Sequence, residues 1–292
     1  MKAPLKSGVY ILLLCAAIFI ASCADDPRYY IALGDSVSTG YGLAAHEYSH
    51  SLLFFNALKD KGYVDYYINM AANGSTTTTL LELLNSIDND DARIFRNARV
   101  ITLNIGGNNI LGAFTNYLSN LRIAPPEADI LRSGTEGIVS WARGIISDAL
   151  NIFSTLAGSF SPELISGLDE AVQTFADEFY AILTWLDKNA PRAIVIVNTL
   201  YNPIPQEVLG ASLEISNAAN MLIESMNEVI FKESTSRNHL VTDIYSHFSH
   251  QLNLFKFNLN PFAGDLSFDI IHPNAEGHTI IAQLNFDTFM QR

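Results

Sequence analysis

The sequence predicts an α/β protein: a doubly wound parallel sheet covered by helices on both faces, three layers in all. Short apolar runs recur along the chain, separated by longer amphipathic stretches. Those stretches are long enough to be crossover helices, and strands joined by such crossovers lie parallel. The polar segments that follow the runs, at residues 34–40, 71–76, 104–109 and 198–203, are rich in Gly, Asn, Ser and Thr. In a parallel sheet such segments gather on one rim, outside the carboxyl ends of the strands, where open α/β sheets bind ligands.

The elements follow in order. Tyr29 to Leu33 (YYIAL) is the first strand, and Ser51 to Lys61 (SLLFFNALKDK) is a helix closed by Gly62. Asp65 to Met70 (DYYINM) is the second strand, followed by a helix over Thr78 to Ile87. Arg99 to Asn104 (RVITLN) is the third strand, Arg192 to Asn198 (RAIVIVN) a fourth and fully buried one, and His239 to Thr242 (HLVT) a short fifth. Between the third and fourth strands lies more chain than one crossover needs. There Pro125-Pro126 is a break, Thr135 to Phe153 an apolar helix, and Ser161-Pro162 the N-cap and first residue of a helix running to about Asn189. This helical insertion, about 110–190, either caps the rim or packs on the sheet edge.

The composition, 49% hydrophobic and 16% charged over 292 residues, is that of a chain with a full core rather than a disordered one. Thirty acidic residues against 17 basic ones, with no basic stripe, argue against a nucleic-acid surface. Lys2 and Lys6 precede an apolar stretch from Val9 to Ile20, too short to span a bilayer comfortably and shaped like an export signal. It ends in Ile20-Ala21-Ser22-Cys23, which resembles a bacterial lipobox. Cys15 lies inside the signal, so cleavage leaves Cys23 without a disulfide partner in the chain. Lipid attachment at Cys23 accounts for it, with anchoring to a membrane on the extracytoplasmic side, in the periplasm or at the cell surface. Residues 1–22 are thus read as signal, 23–28 as tether and 29–292 as the folded domain.

Chemistry concentrates on the rim. Gly34-Asp35-Ser36 puts a hydroxyl at a strand-to-loop corner, where a following helical turn aims backbone N–H groups at it. Ala71-Ala72-Asn73-Gly74-Ser75 contains a glycine whose N–H no side chain shields. Asn104-Ile105-Gly106-Gly107-Asn108-Asn109 supplies side-chain amides, and Asp269-Ile270-Ile271-His272-Pro273-Asn274 pairs a carboxylate with an imidazole one turn apart at the start of the terminal helix. Each motif alone reads as an ordinary turn or cap. All four in this order resemble the conserved blocks of the GDSL or SGNH hydrolase family. The resemblance runs from Tyr29 to about Ile281 and implies its flavodoxin-like fold.

The resemblance implies a serine esterase or lipase. Ser36 is then the nucleophile, His272 its general base and Asp269 the carboxylate that orients His272. The N–H groups of Ser36 and Gly74 and the amide of Asn108 form the oxyanion hole. Val37 stands where the family has Leu, and Asn109 where Asp is usual. Leu200-Tyr201-Asn202-Pro203 is also similar to a run in extracellular lipase-like members. A carbohydrate O-acetylesterase and a non-catalytic surface-binding lipoprotein on the same fold are the alternatives. No phosphate loop or metal-ligand spacing stands out, so neither cofactor nor metal is expected. Asp88-Asn89-Asp90-Asp91 reads as a solvated helix end, and His46, His50, His247 and His250 as surface histidines.

Overall fold

The computed structural model describes residues 26–120, 162–202, 213–249, 251–257 and 268–292. The export signal, Cys23, Pro125-Pro126, Thr135 to Phe153, Ser161, Pro203 and His250 lie outside them.

Five parallel strands form the sheet: β1 (Tyr29–Gly34), β2 (Tyr66–Asn69), β3 (Ala98–Asn104), β4 (Ile194–Asn198) and β5 (Leu240–Thr242). Their spatial order is β2-β1-β3-β4-β5, with every pairing parallel. Every strand of the sheet was legible in sequence, to within two residues at either end. The order reverses between β1 and β3, and the crevice at such a switch point is where doubly wound sheets place their ligands.

The strands' two-residue period sorts the core into two layers. Ile31, Leu33, Ile101, Leu103, Val195 and Val197 face one side, where they meet Leu80 and Leu84 of α3 (Thr77–Ser86) and Phe95 of α4 (Asn89–Arg96). Phe175, Phe179, Ile182 and Leu183 of α6 (Pro162–Asn189) join that layer, as do Ile223, Met226 and Ile230 of α7 (Leu213–Ser236). Tyr30, Ala32, Val100 and Ile196 face the other side. They pack on Phe54 and Leu58 of α2 (His50–Asp60) and on Ala282 and Phe289 of α9 (Ala275–Met290). Part of the stretch read as an insertion is therefore an ordinary layer of the fold. From Val172 onward α6 packs into the layer on this face of the sheet, as the crossover from β3 to β4. It also contacts α5 (Gly107–Asn120).

A third apolar cluster backs the rim. Val37 meets Ile244 and Phe248 of α8 (Ile244–Phe248), Leu254, Phe255 and Ile281. It anchors a hairpin of β6 (Phe255–Phe257) and β7 (Phe268–Pro273) that periodicity did not reveal. β6 has only three residues, and β7 (FDIIHP) has no strict polar–apolar alternation to read.

Two expectations change. Asp269 and His272 do not share a helical turn; both lie in β7. Pro273 disfavours helical backbone at the residue before it, so α9 starts only after Asn274, whose Oδ1 accepts the Gly277 N–H at 3.0 Å. His50, read as a surface residue, is fully buried. Its ring stacks on that of His278, with centroids 5.7 Å apart. Asp88 does sit at a helix end: its carboxylate accepts the Asp91 N–H at 3.0 Å, at the start of α4.

Candidate active site

The first wall is the corner between β1 and α1 (Ser36–Thr39). Gly34 has φ +143, and a Cβ there would strike the Asn104 carbonyl, so only glycine lets β1 come this close to β3. Asp35 caps α1 by accepting the Val37 N–H at 3.0 Å. The cap turns Ser36 out of the sheet, half-buried at the rim. Among the described residues, no intrachain hydrogen bond uses the N–H of Ser36 or of Gly74.

The remaining segments are tied to this corner by short polar bonds. Thr39 Oγ1 donates to Asn73 Oδ1 at 2.6 Å, and the Ala72 N–H donates to the Gly34 carbonyl at 3.1 Å. These bring the exposed Gly74 turn (φ +77) beside Ser36. Asn108, in the first turn of α5, donates through Nδ2 to the Ser75 carbonyl at 2.9 Å. That bond occupies one of its two amide hydrogens.

His272 arrives from the far end of the chain. Lys256 pairs with Asp269 and Phe255 with Pro273, so Ile270, Ile271 and His272 form a bulge on β7. The bulge places His272 Nε2 2.8 Å from Ser36 Oγ, across 236 residues of sequence. The Tyr41 ring packs against the imidazole at 4.9 Å. Asp269 lies on the same strand, three residues before it. The fold thus gathers Ser36, Gly74, Asn108 and His272, each singled out in the sequence, at the carboxyl ends of β1 and β3.

Sequence reasoning gave no role to several residues beneath and behind them. Asp35 is buried, and desolvation pushes its carboxyl up to about 6, against the pull of the Val37 N–H, the His272 charge and the Asn104 amide. Asn104 Nδ2 donates to Asp35 at 3.3 Å and Asn198 Nδ2 to Asn104 Oδ1 at 3.4 Å, a polar string across the ends of β1, β3 and β4. Tyr201 donates its hydroxyl to the Ile271 carbonyl at 2.8 Å, and its ring packs on Phe248 and Phe255. Its place after β4 was the available signal. What it touches lies 70 residues away. Among the described residues, no group of His, Cys, Asp and Glu side chains is arranged to hold a metal ion.

Residues 32–280 match the model of the GDSL-like lipase/acylhydrolase family. No curated protein matches the chain in sequence. Among solved structures, the lipase Lip_vut3 from goat rumen metagenome is similar in fold. Its TM-score is 0.60 at 20% identity, over 89% of this chain and 97% of that one. Phospholipase A1 from Streptomyces albidoflavus has a TM-score of 0.56 at 16% identity, covering 90% and 100%. An acetylxylan esterase from Geobacillus stearothermophilus has 0.51 at 14%, covering 89% and 93%.

Proposed function

The chain belongs to the GDSL-like lipase/acylhydrolase family, and from that premise we propose that it hydrolyses carboxylic esters through Ser36 and His272. The 2.8 Å approach of His272 Nε2 to Ser36 Oγ is the observation that carries the reading. It is the distance at which an imidazole takes a hydroxyl proton. In the first step Ser36 Oγ attacks the ester carbonyl as its proton passes to His272. The oxyanion is held by the N–H groups of Ser36 and Gly74 and the second amide hydrogen of Asn108. His272 then returns the proton to the leaving alcohol. Water, deprotonated by the same nitrogen, cleaves the acyl-enzyme and frees Ser36. Asp269 fixes the His272 tautomer and stabilises the imidazolium.

The preferred substrate is a lipid ester. Cys23 carries the acyl anchor in this reading, so the enzyme works beside a membrane, on the extracytoplasmic side. The fold likeness to a lipase and a phospholipase fits, whereas the likeness to an acetylxylan esterase keeps a glycan O-acetylesterase as the second reading.

A fluorophosphonate probe tests the chemistry. The purified chain should be labelled at Ser36, and Ser36→Ala should lose both the label and the turnover of p-nitrophenyl esters. Retained turnover in Ser36→Ala refutes the assignment, and an unlabelled wild-type chain favours a binding lipoprotein. Rates that rise with acyl length favour a lipid substrate, and rates confined to acetyl esters favour the glycan. Cys23→Ala should release the protein from membranes or block its maturation. Unchanged retention argues for an uncleaved signal anchor.

A further inference from the structure

Glu178 lies on α6, in none of the motifs read as carrying chemistry, yet its carboxylate reaches the helix start that follows the Gly74 turn. Its Oε2 accepts from Thr77 Oγ1 at 2.5 Å and from Thr78 Oγ1 at 3.0 Å. The same Thr77 hydroxyl oxygen accepts from Asn109 Nδ2 at 2.8 Å, while Asn109 Oδ1 accepts the Thr77 N–H at 3.1 Å. Thr77 is fully buried, so water cannot replace either partner.

A threonine hydroxyl has one hydrogen, and here it goes to Glu178. Position 109 must therefore offer a donor. Asn does so, whereas an ionised Asp has only lone pairs and would set a second carboxylate against a hydroxyl with nothing left to give. One residue before, Asn108 binds the Ser75 carbonyl. The start of α5 is thereby stitched to the Gly74–Thr77 turn at two successive residues, and Glu178 fixes the direction of the second stitch.

We propose that Glu178 is a positioning residue for the oxyanion hole, holding the Gly74 N–H and the Asn108 amide in register through Thr77 and Asn109. The inference rests on the catalytic roles given above to Gly74 and Asn108. It also makes positions 178 and 109 a coupled pair. The carboxylate belongs on one side of Thr77 and the donor on the other, and exchanging both should work where changing one fails.

The test compares the wild-type chain with Glu178→Ala, with Asn109→Asp, and with a double variant that combines Asn109→Asp with Glu178→Gln. Measured quantities are kcat and KM on a p-nitrophenyl ester, thermal unfolding, and affinity for an alkylboronic acid, which forms a tetrahedral adduct on Ser36. Losing a whole oxyanion donor costs about 10²–10³ in kcat, so a loosened pair should cost about tenfold. Glu178→Ala and Asn109→Asp should each lower kcat by that factor at nearly constant KM, with boronate affinity falling in proportion. In the double variant the amide introduced at position 178 donates to Thr77, Thr77 donates to the carboxylate introduced at position 109, and most of the loss should return. Glu178→Ala that shifts only the melting temperature overturns the proposal. So does a double variant no faster than Asn109→Asp. A wild-type chain that turns over no ester and takes no fluorophosphonate removes the hydrolase reading and this inference with it.

Discussion

Asp35 joins the fold to Ser36, and Asp35→Asn isolates what its charge costs. The amide oxygen can still accept the Val37 N–H and the Asn104 amide, so the cap on Ser36 survives while the titration disappears. Moving a carboxyl from 3.8 in the unfolded chain to about 6 in the native one penalises the ionised form by about 3 kcal/mol, at 1.36 kcal/mol per decade. Between those values the native state binds the proton that the unfolded state has released. Asp35 therefore takes nothing from stability below 3.8, and its cost grows until the pH has passed about 6. Linkage places about 2 of the 3 kcal/mol between pH 4.5 and 7.5. Urea unfolding of both proteins at these two pH values measures it, because titrations that do not feel Asp35 cancel in the difference. The variant should gain about 2 kcal/mol on the wild type as pH rises. A difference that does not move with pH would refute the buried-carboxylate account.

Three further outcomes follow from named contacts. Tyr201→Phe keeps the ring on Phe248 and Phe255 but loses the bond to the Ile271 carbonyl. Steady-state kinetics should show kcat falling several-fold at similar KM, with about 1 kcal/mol lost in unfolding. His50 is held neutral by burial down to about 3, so stability present above 6.5 is lost as the unfolded chain protonates on acidification. His50→Phe preserves the stack on His278 and should lower the acid-unfolding midpoint, followed by circular dichroism. Asn108→Ala should lower kcat by about 10²–10³ with KM little changed, read from initial rates on a p-nitrophenyl ester.

Asn109 shows how far one-dimensional reading reaches. Its departure from the family's Asp was visible in the sequence, and its fit was not. Whether an amide or a carboxylate belongs there depends on where the Thr77 hydrogen points, and Glu178 decides that from about a hundred residues away. His50 was misplaced for a similar reason. A histidine's polarity predicts exposure, but its position on the inner side of α2 buries it against α9.

By itself the sequence determined the five-stranded parallel sheet, because strand and crossover periodicities are local and each apolar run is bounded by its own turn residues. It also singled out Ser36, Gly74, Asn108 and His272, because each sits in a short motif beside a strand end. Tertiary structure alone decided what holds them. The approach of His272 to Ser36, the Tyr201 clamp and the Glu178–Thr77–Asn109 link are all long-range. A hydrogen bond between residues dozens to hundreds of positions apart leaves no spacing to read; it exists only once the hydrophobic layers have fixed both ends.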